Sequence, residues 1–429
     1  MSESFLHYVW QFQYFAKHDL RSTAGEDVKI FHPGARNSDA GPDFLQSRIK
    51  LDQIEWIGNV EIHILSSSWY EHHHDEDAAY DNVILHVVWK DDKPVLRRDG
   101  NALPTLELGT RIDERMINSY KELMNSLAYI PCANVMHKVP PLIKMSMLDK
   151  ALASRLEGRT TLIQQLLKRN GHDWEETCYQ LLAKNFGFKI NSEPLFRVAQ
   201  ALPLRILLKH ADKVMQLEAL FLGQSGFLDH EKTTDDYFNL LQREYNLLKV
   251  KYNLTSTQLT KGQWKFLRLR PANFPTIRLA QISALIHEQR HVFSKLLDAA
   301  TIVDLKKMLN VQQSAYWQQH YQFMKISKHE ISSLGTESIH MIIINTVVPL
   351  LVAYGKHTDQ QFLIDRAINM LQQIPAESNA IMRHWSTLGV PVHNAFDSQA
   401  LLELFHQFCM KHRCLDCTIG ASLLKPPSL

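Results

Sequence analysis

The stretch Ile54-Glu55-Trp56-Ile57-Gly58-Asn59-Val60-Glu61-Ile62-His63-Ile64-Leu65 decides how the N-terminal part of this chain folds. Val60, Ile62 and Ile64 alternate with Asn59, Glu61 and His63, the two-residue period of a strand. Upstream, Phe44 to Leu51 reads as a partner strand. A hairpin turn centred near Asp52-Gln53 sets Asp43 opposite Ile62, between Glu61 and His63. Two carboxylates and an imidazole then converge at one end of a sheet. Carboxylates are hard ligands suited to Mg²⁺ or Mn²⁺, and a bound divalent ion activates water and offsets charge on a scissile phosphate.

Working outward, Phe5, Leu6, Val9, Trp10 and Phe12 have helical spacing, which predicts a helix over residues 3–16. Val28 to Phe31 predicts a strand between Gly25 and Pro33-Gly34, and residues 37–42 are rich in turn formers. Ser66 to Tyr80 holds a short helix. Val83 to Trp89 is nearly continuous in apolar residues, as in a strand covered on both faces and reached by a parallel crossover. Val95 to Leu108 predicts a last hairpin around Asp99-Gly100. After residue 110 almost every segment has helical period. The fold class is therefore an α+β N-terminal domain, a mixed sheet with flanking helices, followed by a mostly α-helical region. We divide it as 1–110, a linker over 111–150, and a helical domain over 151–429, with two subdomains as an alternative.

Pro42-Asp43, then Glu61-Ile62-His63, resembles the PD-(D/E)XK nuclease superfamily, and the helix–strand–strand–strand–helix–strand order is similar to that fold's core. His63 stands where that family has Lys. The resemblance implies Asp43 and Glu61 as ligands of Mg²⁺ or Mn²⁺, His63 orienting water or contacting phosphate, and Glu3 as the acid of the first helix. The segments Gly41-Pro42-Asp43-Phe44, Gly58 to His63 and Val83 to Val88 also make the whole chain look like a bacterial family known only as domain of unknown function 2851.

Trp69 to His86 adds further ligand types. His74, Asp77 and Tyr80 are three apart and would share a helix face beside the carboxylates. His86 is the polar residue of an apolar strand and needs a partner. His72 and His73 read as surface residues. An alternative site is zinc held by His63, His74 and His86.

Near the end, Cys409-x4-Cys414-x2-Cys417 has metal-ligand spacing, and Cys132 is the candidate fourth ligand, with His406 and His412 as substitutes. Four thiolates suit Zn²⁺ or an iron–sulfur cluster. Cys178 sits in an apolar helical pattern and reads as core.

Lys265, Arg268, Arg270 and Arg278 interleave with Trp264, Phe266 and Phe274, a composition that nucleic acid could engage through phosphate contacts and stacking; the competing reading is a helix corner with solvated arginines. Arg155 and Arg159 read as a solvated face.

Composition is that of an ordinary globular chain: 429 residues, 45% apolar, 21% charged, net charge +2. The weak overall field leaves nucleic-acid binding to local patches. The N-terminus lacks the basic start and apolar run of a signal peptide. Ile339 to Val352 falls short of the roughly 20 residues of a spanning helix and reads as a buried helix kinked near Pro349. Five cysteines do not suggest a secreted disulfide framework. A cytoplasmic chain without membrane contact is expected. The expected function is a metal-dependent phosphodiesterase acting on DNA or RNA. The alternatives are a catalytically degenerate nucleic-acid- or protein-binding module and a zinc hydrolase.

Overall fold

A computed structural model describes residues 1–229 and 233–425. The chain forms two compact units, and the division falls elsewhere than expected. The first takes residues 1–149, 384–390 and the described residues from Leu402 on; the second takes 150–383 and 391–401. The segment expected as a linker carries an ordered helix, Glu114–Met124, of the first unit.

The first unit is built on a mixed sheet. Helix α1 (Glu3–Phe12) is N-capped by Ser2, whose side chain accepts from the Phe5 N–H, and it ends earlier than predicted, at Gln13 in the left-handed region. Strands β1 (Val28–His32), β2 (Ala35–Arg36), β3 (Phe44–Leu51), β4 (Ile54–Leu65), β5 (Val83–Lys90) and β6 (Thr105–Glu107) follow. The spatial order is β1-β3-β4-β5-β6, with β2 beside the start of β3. β1, β3 and β4 run antiparallel, while β4–β5 and β5–β6 are parallel. The crossover from β4 to β5 carries helix α2 (Ser68–Glu71) and a 3₁₀ turn, Ala78–Tyr80. The expected last hairpin is replaced: β6 lies parallel to β5, and Asp99-Gly100 closes only the isolated bridge Leu96↔Ala102. The cause is reach, because Val95 and Leu103 turn inward with Trp69 and Val83 into one apolar cluster, which carries the chain on to β6.

Two local features set the register at the centre. From Ser47 to Leu51, β3 pairs with β4 as the turn at Asp52-Gln53 dictates, but a bulge between Phe44 and Ser47 shifts the rest by one. Gln46 takes φ +58°, and the buried set becomes Phe44, Ser47, Ile49 and Leu51. Continued by one residue, the shifted register sets the Asp43 backbone opposite Glu61, not Ile62. Gly58 lies where β5 begins; a Cβ there would stand 2.4 Å from Ile84 Cγ2 and 2.8 Å from the Asn82 carbonyl, so only glycine lets the strands close.

Among the described residues the second unit is helical apart from a two-stranded ribbon, His320–Gln322 with Lys325–Ile326. Helix Pro275–Glu288 is buried along most of its length. The apolar run is longer than the sequence suggested. Thr336–His357 spans 22 residues and holds an 18-residue stretch of mean hydropathy 1.7, long and apolar enough to cross a membrane, yet 72% of that stretch is buried inside the protein. Its irregularity is a π turn, Ile343–Val347, ahead of Pro349. Proline lacks the N–H that would bond the carbonyl four residues back, so the Asn345 carbonyl accepts instead from Asn185 Nδ2 at 3.2 Å and Arg159 at 3.4 Å. Arg159 also donates to Asn345 Oδ1 (2.9 Å) and Arg155 to Gln399 (2.6 Å), so neither is the solvated cation expected.

Arg278 departs further from expectation. It is 4% exposed, donates to Gln281, and lies over the Phe188 ring at 4.7 Å, so phosphate has no access to it. Burial lowers its pKa to about 10. Trp264 and Phe266 pack on Phe227. This corner is an aromatic core, and of the four basic residues read as a nucleic-acid surface Lys265, Arg268 and Arg270 are exposed.

Glu218 supplies a pH-dependent prediction. Buried, and accepting from Tyr237 and Trp317, it is pushed up to about 7 by burial. A carboxyl whose native pKa exceeds its unfolded value favours folding below the unfolded pKa, and that contribution is lost as pH rises through the native pKa. At 1.36 kcal/mol per unit, the loss from pH 5 to pH 8 is about 3 kcal/mol. Glu218→Gln, which keeps the neutral shape, is expected to gain relative stability over that interval in urea unfolding. A stability difference flat with pH would contradict this.

Candidate metal centre

α1 and α2 both pack on β4, and this brings the functional side chains together. Asp43 and Glu61 interlock across the two strands. The Asp43 N–H donates to Glu61 Oε2 at 3.1 Å, and the Ile62 N–H donates to Asp43 Oδ2 at 3.0 Å. Helix α1 contributes His7, whose Nε2 lies 3.1 Å from Asp43 Oδ2. That pair is poorly aligned for a hydrogen bond, so His7 Nε2 stays buried without a hydrogen-bond partner. Glu3, the acid expected from this helix, lies one turn earlier, and His7 takes the place nearest Asp43.

The second half of the cluster is imidazole. β4 and β5 set Glu61 beside His86 in parallel register. His63 Nδ1 is 2.9 Å from His86 Nε2. His63 Nε2 is 3.1 Å from His72 Nδ1 and 3.7 Å from Glu61 Oε1, and His74 Nε2 is 3.4 Å from the same Glu61 oxygen. His63, His72 and His74 each offer a ligand atom, and these all lie within 4.8 Å of one another. Metal–nitrogen bonds of about 2.0–2.1 Å require ligand atoms roughly 3 Å apart, so a small adjustment seats one ion.

Three expectations change here. His72, read as a surface residue, is exposed and yet belongs to the trio, while His86 moves behind His63. His74, Asp77 and Tyr80 do not share a helix. The chain leaves α2 through His73 at φ +59°, and Asp77 caps the 3₁₀ turn by accepting from the Ala79 N–H, the role short acids favour over helix interiors. His74 and Tyr80 nonetheless stack, with centroids 3.7 Å apart. Finally, His63 is 2% exposed, with Nδ1 against His86 and Nε2 against His72, so it faces the cluster and not the surface.

Electrostatics fit a cation. Burial, then the neighbouring imidazoles, lowers His63 to about 2, and burial, then His74, lowers His86 to about 3. Both are neutral at physiological pH, the form that binds metal. Burial also raises Glu61, with the Asp43 charge adding and the His74 hydrogen bond opposing. Tyr80 is pushed up to about 12, by burial first and then by Glu61 and Asp43, and stays a phenol able to donate. His86 Nδ1 is buried without a partner. With a ligand on His63 Nε2, His63 Nδ1–H donates to His86 Nε2, the orienting arrangement usual behind a metal-bound histidine.

Mixed imidazole and carboxylate donors on a mixed sheet define a candidate transition-metal centre in an α/β unit joined to a mostly helical one. The family model described as a protein of unknown function, DUF2851, matches residues 3–380, and the chain belongs to that family. No curated protein and no solved structure matches it.

Proposed function

We propose that this protein is a metal-dependent hydrolase of phosphodiester bonds in DNA or RNA, with Asp43, Glu61, His63, His72 and His74 at its site. One observation carries the reading: two acids from adjacent strands and three imidazoles within 4.8 Å of one another meet in a single cluster. The order of α1, strands β1, β3 and β4 with the two-residue β2 among them, α2 and β5 around Pro42-Asp43 and Glu61-Ile62-His63 supports a nuclease-like core of the PD-(D/E)XK kind. A bound ion would lower the pKa of water and offset phosphate charge. Around it, His86 fixes the His63 tautomer, the Ile62 N–H holds the Asp43 carboxylate with His7 beside it, and Tyr80 offers a phenolic donor. Imidazole donors shift metal preference from Mg²⁺ toward Zn²⁺ or Mn²⁺.

The test is cleavage of single- and double-stranded DNA and RNA with Mg²⁺, Mn²⁺ or Zn²⁺. Wild type is expected to cut, and Asp43→Ala and Glu61→Ala are expected to lose at least a hundredfold in rate, about 2.7 kcal/mol of barrier. Wild type that binds these polymers but cuts none would favour a non-catalytic binding module. The lack of a lysine cation, with neutral His63 in its place, supports that second reading.

A further inference from the structure

Cys132, Cys409, Cys414 and Cys417 come from two distant parts of the chain, yet all four are buried in the first unit and all are free thiols. Their surroundings bring them together. Tyr129, three residues before Cys132, packs on Phe405, four residues before Cys409, with ring centroids 4.4 Å apart. Cys409 ends a π turn, Leu404–Cys409, an irregularity that often marks a functional site. Cys414 lies in the following turn, folded so tightly against the next helix that a Cβ on Gly420 would stand 2.2 Å from the Cys414 carbonyl oxygen. Cys417 is the N-cap of that helix, Thr418–Leu424. They lie close enough that charge on Cys414 or Cys417 would raise the Cys132 pKa, charge on Cys417 that of Cys414, and charge on any of Cys132, Cys414 and Cys417 that of Cys409, in each case after burial. On the same turn His412 Nδ1 is buried without a partner, whereas His406 is exposed. Cys178 belongs to the second unit.

We propose that these four cysteines form a second metal centre, holding a thiophilic metal as Zn²⁺ or an iron–sulfur cluster. Four thiolates are a complete ligand set for either. Among the described residues the histidine trio meets the 4.8 Å spacing and the sulfurs do not, so a single zinc would draw the thiols inward, while a cluster spans a wider set. The centre fastens the end of the chain to the sheet unit. Beyond Cys417, the Ala421 carbonyl accepts from Tyr8 of α1, at 3.3 Å, and the Thr418 N–H donates to Met147 Sδ, at 3.2 Å. Tyr8 neighbours His7, so the staple steadies the helix that reaches Asp43. The three C-terminal cysteines lie beyond the residues matched by the family model.

Anaerobically purified full-length protein is expected to contain stoichiometric zinc, colourless, or several irons with a brown colour; the two results separate the metals. Cys414→Ser/Cys417→Ser is expected to reduce the metal to trace, while His72→Ala/His74→Ala retains it, so the outcome is independent of the histidine centre. A second measurement is independent of the folding of the cysteine variant: wild type is titrated with a mercurial, and metal release should track modification of the four thiols. Protein that stays metal-free after reconstitution with zinc, and with iron and sulfide, under reducing conditions overturns the proposal. Metal lost in the histidine variant but kept in the cysteine variant overturns it as well.

Discussion

Free Mn²⁺ at about a hundred times its Kd is expected to raise the unfolding free energy by about 2.7 kcal/mol, and Glu61→Gln and His74→Ala are expected to remove that gain. Mn²⁺ is the right probe because oxygen and imidazole donors accept it, whereas the buried thiols of the C-terminal segment favour softer metals. Glu61 is the pivot: its Oε1 faces both His63 and His74, and its Oε2 holds the Asp43 N–H. Gln keeps the shape and removes the charge, so metal response falls while metal-free stability holds or improves, since burial already disfavours the carboxylate. His74→Ala also loses the stack on Tyr80, which is why each variant is compared with itself, with and without metal. Equal stabilisation of wild type and both variants in thermal unfolding would place the metal elsewhere.

Trp69→Ala is expected to cost about 3–5 kcal/mol, the range for emptying a buried aromatic site. The indole is 1% exposed, shares a cluster with Val83, Val95 and Leu103, and has the rings of His74, His86 and Tyr80 within 6 Å (5.4, 5.5 and 5.9 Å). Its removal opens a cavity directly behind two site histidines, so Mn²⁺ affinity should fall together with stability. Trp69→Phe is expected to cost far less, about 1 kcal/mol, because the indole N–H is buried without a partner and its loss leaves nothing unsatisfied. Urea unfolding and Mn²⁺ titration of the two variants check both parts. An alanine variant as stable as wild type would mean that the wall behind the histidines is not held by packing.

Strand patterning survived the step to three dimensions well. Phe44–Leu51 and Ile54–Leu65 fall where their periodicity put them, as does the parallel step to Val83–Lys90. What failed was whatever depended on which residue faces which. The bulge at Gln46 is a one-residue event with no composition signal, yet it moved Asp43 from Ile62 to Glu61. His7 was legible only as another helix residue, one turn after Glu3. His72 looked like one of two surface histidines, because its closeness to His63 is a contact between the end of α2 and β4 that no local pattern announces. Arg278 looked like a free cation because sequence records charge and not burial.

By itself, then, the sequence determined the mixed sheet followed by helices and the residue types available for metal chemistry, since local periodicity and donor chemistry are properties of neighbouring residues. Tertiary structure alone decided that His7 reaches Asp43, that His72 joins His63 while His86 stands behind, and that the last cysteines return to the first unit. Those are contacts between residues far apart in the chain, fixed by how whole elements pack and not by any local preference.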